Sequence, residues 1–136
     1  MATIDGRFLH PGRAAGPVLV LDAPLSFWGG TDLSGRIIDR HHPQHGECVA
    51  GTILAMRSGR GSSSSSSVLA EQIRQGTAPA GLVLAEPDPI IVVAVVVAQE
   101  LYGRSVPVVL VPPSRFASLR SGLPARIGGV QQGGQP

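Results

Sequence analysis

The stretch with the clearest potential for chemistry is 57-RSGRGSSSSSS-67, in which two arginines and two glycines precede six serines. A serine hydroxyl is a weak acid, and it reacts as an alkoxide at neutral pH only where nearby donors stabilise the anion. The first turn of a helix offers free N–H groups and the positive end of its dipole, and Arg57 and Arg60 offer guanidinium groups. Gly59 and Gly61 allow the backbone to approach a ligand closely. The stretch therefore indicates an anion site or an activated serine.

Three other interpretations of this stretch fit less well. A nucleotide-binding phosphate loop would have the order G-x-x-x-x-G-K-[ST], and the chain contains no lysine. A flexible linker has no use between two ordered elements of one small domain, and the flanking Gly-Arg-Gly has no role in a spacer. A Ser-His-Asp hydrolase would carry G-x-S-x-G, which is absent. An activated serine next to a helix start remains the favoured hypothesis.

A second polar segment contains the spacing His42-x-x-His45-x-x-Cys48. These are three potential metal ligands in one loop, but a structural zinc site has four, and no paired element occurs elsewhere in the chain. We expect one or two histidines of this segment, which also contains His41, to hydrogen-bond the loop while the others face solvent. His45 is a candidate for the wall of a substrate pocket if this loop lies beside the serines. We assign no metal ligand, and the roles of His41, His42 and Cys48 stay open.

The elements that must position the serines are a strand before them and a helix after them. The apolar run 49–56 predicts the strand, and 64–75 predicts the helix, with a serine as its N-cap and Gly76 as its C-terminal stop. The segment 87–103 is ambiguous, because its β-branched content favours a strand. Its length, a proline near the first turn and a terminal glycine favour a buried helix, which is our prediction.

The remaining segments predict the fold class. Predicted strands lie at 17–22, 36–39, 82–86 and 106–112, and 23–35 is predicted to be a loop. The order strand–helix–strand–helix–strand indicates an α/β or α+β domain around a partly parallel sheet, and we predict the α/β class. We predict an irregular N-terminal arm at 1–15, one domain at 16–121 and a disordered tail at 122–136.

Composition narrows the class of protein. Of the 136 residues, 43% are hydrophobic and 15% charged, which is typical of a globular domain. The eleven arginines are scattered and aromatic residues make up only 4%, so we expect no nucleic-acid partner. The single cysteine excludes an internal disulfide and a multi-thiolate iron–sulfur cluster held by this chain alone. The longest apolar run, 89–98, is too short to span a bilayer and no signal-peptide pattern precedes it, so we expect a cytoplasmic protein without membrane contact.

Four motifs together strongly resemble the swivel domain of aconitase X enzymes. They are 24-PLSFWGG-30, 36-RIIDRHHPQHGE-47, 57-RSGRGSSSSSS-67 and 85-AEPDPII-91, and the resemblance runs from about Gly16 to Pro112. It implies an α/β fold of the swivelling β/β/α type, related to the C-terminal domain of aconitase and to the small subunit of isopropylmalate isomerase. In that family the swivel domain can be a separate subunit. A larger partner then carries the cysteine ligands of an iron or iron–sulfur centre, which implies a heterodimer with an aconitase X-type large subunit.

The resemblance also implies roles for individual residues. The first serine after Gly-x-Gly, Ser62, corresponds to the serine that acts as the base. Related swivel domains have an arginine after Gly-Ser-Ser that holds a substrate carboxylate, and Ser64 occupies that place here. This departure argues against a tricarboxylate substrate and is typical of the aconitase X branch. We expect the N–H groups around Ser62 to hold the alkoxide or the carboxylate, and the 26–30 loop to close the pocket wall. The candidate substrate-binding residues are Arg60, Gly61, Ser63, Ser64, Ser26, Trp28, Gly29 and His45, with a core anchor as the alternative role for Trp28.

Two activities are attributed to the branch. Bacterial members dehydrate cis-3-hydroxy-L-proline, and archaeal members dehydrate mevalonate 5-phosphate. The arginine-only composition, rich in glycine and alanine, favours the bacterial substrate. In the expected mechanism the Ser62 alkoxide removes the proton α to the carboxylate, and the partner's metal acts as a Lewis acid on the leaving hydroxyl. A non-catalytic carboxylate-binding or regulatory module is the alternative from another functional class.

Overall fold

Seven strands and four helices make up the part of the chain that the computed structural model describes, residues 1–60 and 63–128. The strands are β1 (Ala2–Ile4), β2 (Arg7–His10), β3 (Ala14–Val20), β4 (Ile53–Met56), β5 (Gly81–Leu84), β6 (Val108–Leu110) and β7 (Pro124–Ile127). The helices are α1 (Phe27–Gly30), α2 (Ser64–Gln75), α3 (Pro89–Tyr102) and α4 (Pro113–Ala117). Residues 57–63, between β4 and α2, are called the serine loop below.

The strands form one sheet in the order β1-β7-β3-β4-β5-β6-β2. The four central strands from β3 to β6 are parallel, while β7 and β2 run antiparallel to their neighbours β3 and β6. Helix α2 connects β4 to β5, and α3 connects β5 to β6. Because β4 and β5 are parallel and Met56 pairs with Leu84 at their ends, the serine loop and the loop after β5 leave the sheet side by side. This α/β architecture confirms the predicted fold class.

The two long helices begin and end at the residues that the sequence indicates. Helix α2 covers the predicted range 64–75, and Gly76 ends it with a left-handed φ of 81°. Asp88 caps α3, Pro89 occupies its first turn, and Gly103 ends it at φ 66°. These end signals outweigh the β-branched content of α3, as predicted. Across the described residues, no helix has both the length and the apolar character needed to cross a membrane.

Alternate residues of the central strands face two different apolar clusters. In β4, Leu54 and Met56 pack on the helix side of the sheet with Leu69 of α2, while Ile53 and Ala55 pack on the other side. Every residue of β4 and β5 is buried. The serine loop therefore starts from the most deeply buried part of the sheet, which fixes its first residues.

Some of the predicted segments are different in the structure. Residues 1–15 are not an irregular arm: β1 pairs with β7, β2 pairs with β6, and β3 already begins at Ala14. The predicted loop 23–35 contains only the four-residue turn α1, in which Trp28 and Gly29 have non-helical backbone angles, so most of it is a loop as predicted. The predicted strand at 36–39 forms only isolated bridges. The tail predicted from residue 122 contains β7, and residues 129–136 lie outside the described part. The edge strands are short and depend on distant partners, so they leave little local signal.

Candidate active site at the start of helix α2

A cleft of about 350 Å³ lies where the loops after β4 and β5 meet the first turns of α2 and α3. Ligands of open α/β sheets commonly bind in this place, beyond the carboxyl ends of the parallel strands. Among the described residues, the cleft is lined by residues 58–60, Ser65, Leu69 and residues 86–91, with Leu25 and Phe27 forming a further wall. The cleft therefore joins three of the four motifs that carry the resemblance.

The serine loop is held on both sides just before Ser62. The backbone N–H of Gly59 donates to Oδ2 of Asp88 at 2.8 Å, and the N–H of Arg60 donates to the carbonyl oxygen of Leu25 at 3.2 Å. Gly59 has no room for a side chain, because a Cβ there would collide with Asp88 Oδ2 and would also lie 3.0 Å from Cδ1 of Ile91. The backbone is thus fixed up to Arg60.

The predicted base lies directly after this fixed segment. Ser62 and Gly61 are outside the described residues, and the described chain resumes at Ser63. Arg60 lines the cleft with an exposed side chain, and its guanidinium has no hydrogen bond or ion pair within the described part of the chain. Of the predicted substrate-binding residues, Arg60 is therefore placed where it can meet an anion.

The first turns of α2 and α3 meet at the cleft, and the charge around their N-termini differs. At α3, Asp88 Oδ1 accepts hydrogen bonds from the N–H groups of Ile90 at 2.9 Å and Ile91 at 3.4 Å, so a carboxylate offsets the positive end of the dipole. At α2, Ser63 is the N-cap residue but makes no side-chain capping bond, contrary to the predicted serine cap. The first turn of α2 contains no acidic residue, so among the described residues no carboxylate of that turn offsets its positive end, which favours an anion there.

Ser65, in the first turn of α2, binds the 26–30 loop to the helix. Its side chain is buried, its Oγ lies 3.0 Å from Ser26 Oγ, and it accepts the backbone N–H of Trp28 at 3.4 Å. The Ser26 hydroxyl donates to the Trp28 carbonyl oxygen at 2.7 Å, so Ser65 is the donor to Ser26. Ser65 therefore fixes the 26–30 loop to the first turn of α2.

Leu25 and the 26–30 loop that follows it form the cleft wall through residues that sequence reasoning did not choose. Leu25 and Phe27 are buried and line the cleft, whereas Trp28 is 62% exposed, which excludes the core-anchor alternative. Gly29 has φ 80°, a left-handed conformation that favours glycine, and the space that a side chain would occupy is open. The loop thus exposes Trp28, which is not among the lining residues, while Leu25 and Phe27 form the wall.

Replacing Ser65 with alanine should release this loop. The Trp28 N–H and the Ser26 hydroxyl would each lose a partner, so we expect a loss of about 1–3 kcal/mol in the free energy of unfolding. Thermal or urea unfolding of the purified chain measures it. Ser67→Ala is the matched control, because Ser67 is exposed in the next turn, and it should stay within about 0.5 kcal/mol of wild type. Equal stability of the two variants would contradict the role of Ser65.

The histidine segment lies outside the cleft lining. His42 is buried, its Nε2 donates to the Ala23 carbonyl oxygen at 2.9 Å, and its Nδ1 accepts the N–H of Gln44 at 3.0 Å. Both ring nitrogens are used, so this histidine braces its loop, as predicted for one or two members of the segment. His41 and His45 are exposed, and the structure does not bring His45 to the cleft.

The described residues do not provide a metal site. Cys48 is exposed, and its thiol donates to the Ser34 carbonyl oxygen at 3.7 Å. In residues 1–60 and 63–128, no three histidine, cysteine or acidic side chains are grouped so that they could hold a metal ion. An iron or iron–sulfur centre does not fit the donor groups that this part of the chain presents.

Four polar residues of the cleft were missed by sequence reasoning: Ser58, Ser65, Glu86 and Asp88. Asp88 had a local signal, because an acidic residue directly before a proline is typical of a helix start. The others reach the cleft only through tertiary packing. A different carboxylate, Asp32, has its pKa lowered from 3.8, first by the hydrogen bond from the Ser34 hydroxyl, but it does not line the cleft.

Comparisons with known proteins agree on one family. A sequence model of the family described as "Aconitase X swivel domain" matches residues 3–133. The cis-3-hydroxy-L-proline dehydratase of Pseudomonas aeruginosa is 50% identical over 103 residues, which are 75% of this chain and 18% of that protein. The phosphomevalonate dehydratase small subunit of Methanothermobacter thermautotrophicus is 40% identical over 96 residues, 70% of this chain and 73% of that subunit.

A solved structure gives the same result. The crystal structure of Thermococcus kodakaraensis aconitase X in its holo-form is similar with a TM-score of 0.78 and 29% identity, covering 89% of this chain and 87% of that chain. The chain thus spans about a fifth of the length of the bacterial dehydratase it matches, and most of the length of the archaeal small subunit. The serine-loop cleft, the sheet order and these similarities lead to one conclusion: the chain belongs to the aconitase X swivel domain family.

Proposed function

We propose that this chain is the swivel subunit of an aconitase X-type hydro-lyase that removes water from cis-3-hydroxy-L-proline. Its active site would be shared with a large subunit, and Ser62 would be the base. The observation that carries the proposal is the cleft at the start of α2. The fixed segment Gly59–Arg60, which leads into Ser62, lies there beside the N-terminus of α2. The 50% identity to a cis-3-hydroxy-L-proline dehydratase supports the choice of substrate.

The charges of the cleft support the same substrate. The charged side chains among the described lining residues are Arg60, Glu86 and Asp88. The Asp88 carboxylate is occupied by backbone N–H groups, whereas the side chain of Glu86 is exposed and its carboxylate has no hydrogen bond within the described residues. An amino acid such as hydroxyproline carries an ammonium group as well as a carboxylate, so Glu86 can face the ring nitrogen while Arg60 faces the carboxylate. Mevalonate 5-phosphate offers a carboxylate and a phosphate but no cation.

The chemistry assigned to this chain is the transfer of a proton. The Ser62 alkoxide takes the proton from Cα, the electron pair forms the Cα=Cβ bond, and the C–O bond to the β-hydroxyl breaks. The proton on Ser62 and the departing hydroxide together make up the water released, which regenerates the alkoxide. The resulting enamine tautomerises to the cyclic imine. Arg60 and the N-terminus of α2 stabilise the alkoxide or the carboxylate that lies beside it.

The iron or iron–sulfur centre is proposed for the large subunit. The described residues of this chain form no metal site, so we assign the chain no step that involves the metal. The name of the Methanothermobacter relative, a small subunit, supports the proposal that this chain also works with a separate large subunit as a heterodimer.

Dehydration of mevalonate 5-phosphate is the second candidate function. It is favoured by the 40% identity to a phosphomevalonate dehydratase small subunit, which this chain matches over most of its length. The exposed carboxylate of Glu86 disfavours it, because a phosphate with a charge of about −1.5 to −2 would lie in the same cleft.

The deciding experiment co-expresses the chain with a candidate large subunit and assays the purified complex with both substrates. We expect consumption of cis-3-hydroxy-L-proline with a kcat/KM at least about 100-fold above that for mevalonate 5-phosphate, since a site built for an ammonium group leaves its carboxylate unpaired with the other substrate. The chain alone should be inactive. Activity on mevalonate 5-phosphate and none on cis-3-hydroxy-L-proline would establish the second candidate function. No complex, together with carboxylate binding by the chain itself, would indicate a non-catalytic module.

A further inference from the structure

Asp88 connects two parts of the cleft, the start of α3 and the serine loop, through one carboxylate. Its Oδ1 accepts the N–H groups of Ile90 and Ile91 in the first turn of α3, and its Oδ2 accepts the N–H of Gly59 in the serine loop at 2.8 Å. The two oxygens therefore serve two different elements. A residue that only capped α3 would need one acceptor, as a serine or asparagine has.

The bond to Gly59 fixes the backbone three residues before Ser62. Gly59 also bridges Leu25 in the parallel sense, and the next residue, Arg60, donates to the Leu25 carbonyl oxygen. The serine loop is thus held between Asp88 on one side and Leu25 on the other. A Cβ at Gly59 would collide with Asp88 Oδ2, so no other side chain fits between the two.

We propose that Asp88 is a positioning residue for the reaction: it sets the distance between Gly59 and α3, and so fixes the backbone from which the chain continues to Ser62. Asp88 itself takes no part in the proton transfer, because both of its oxygens are occupied by backbone donors. Displacement of a reacting group by about 1 Å can reduce a rate on the order of 100-fold, so the contact is expected to act on kcat. Because this role presupposes that Ser62 is the base, it depends on the proposed function.

Asp88→Asn tests the role, because an amide has one oxygen and can satisfy either α3 or Gly59 but not both. Asp88→Ser is the second variant: serine is a favoured N-cap, but its one hydroxyl cannot serve both elements. Each variant is purified with the large subunit and assayed with cis-3-hydroxy-L-proline. We expect kcat to fall at least about 100-fold while KM changes less than about threefold, with an unchanged pH profile and an intact complex.

Asp32→Ala is the matched control for general destabilisation, because alanine removes an oxygen that accepts backbone hydrogen bonds. Asp32 Oδ1 also accepts backbone N–H groups, from Ser34 at 2.9 Å and Arg36 at 3.1 Å, but it lies outside the cleft lining. The Asp32 variant should lower the melting temperature to a similar degree as Asp88→Ser and leave kcat within about twofold of wild type.

The outcomes separate the role of Asp88 from the proposed function. If Asp88→Asn does not fold, Asp88→Ser decides the matter. A kcat within about twofold of wild type for the folded Asp88 variants, in a complex that loses its activity with Ser62→Ala, overturns the positioning role and leaves the function standing. Full activity of Ser62→Ala overturns the proposed function, and with it the role of Asp88.

Discussion

Replacement of Ser62 by alanine is expected to reduce dehydration of cis-3-hydroxy-L-proline by the assembled complex at least about 1000-fold. Alanine has no group that can take the Cα proton, while Arg60, the helix N-terminus and the large subunit all remain. The loss should therefore appear in kcat, with KM changed little. Steady-state kinetics of the purified complex measure both constants, and gel filtration shows whether the heterodimer persists.

The neighbouring serines supply the control for this substitution. Ser63 is exposed and is the N-cap residue of α2 without a side-chain cap, so Ser63→Ala should leave kcat within about tenfold of wild type. If Ser63→Ala abolished turnover while Ser62→Ala retained it, the base would be misassigned by one residue. If neither variant lost activity, the serine run would not supply the base at all.

Gly59→Ala is expected to have the second largest effect. The new Cβ would overlap Asp88 Oδ2 and approach Ile91 Cδ1 to 3.0 Å, so either the serine loop or the start of α3 must move. Asp88 caps α3 and cannot retreat without losing that cap. The serine loop should therefore shift away, which we expect to lower kcat about 100-fold and the free energy of unfolding by about 1–3 kcal/mol.

The matched control places the same kind of collision far from the cleft. At Gly16 in β3, a Cβ would collide with the carbonyl oxygen of Gly51, and neither residue lines the cleft. Gly16→Ala should lose comparable stability and keep the kcat of the folded complex within about twofold. A wild-type kcat for Gly59→Ala would show that the spacing between the serine loop and α3 is irrelevant to catalysis.

Local signals predicted the elements on either side of the candidate base. Gly76 and Gly103 end α2 and α3 in left-handed conformations, and Pro89 starts α3, so the sequence alone located both helices. The serine loop could be placed between a buried strand and a helix for the same reason. Structural features that depend on residues close together in the sequence, such as helix ends, can be predicted in this way.

Contacts between distant parts of the chain could not be predicted. Ser65 meets Ser26 across 39 positions of sequence, and Asp88 meets Gly59 across 29. The edge strands β1 and β2 form by pairing with β7 and β6, which are distant in the sequence. His45 was a candidate only if its loop lay beside the serines, and the fold places that loop elsewhere.

The central claim is that this chain contributes the serine base, Ser62, to an active site that a second subunit completes. The most direct test titrates the purified chain into a fixed amount of large subunit and follows dehydration of cis-3-hydroxy-L-proline. We predict no turnover from either protein alone, a rate that saturates at one chain per large subunit, and no rate at any ratio with Ser62→Ala, which should also compete with the wild-type chain. Turnover by the large subunit alone, or by the complex carrying Ser62→Ala, would contradict the claim.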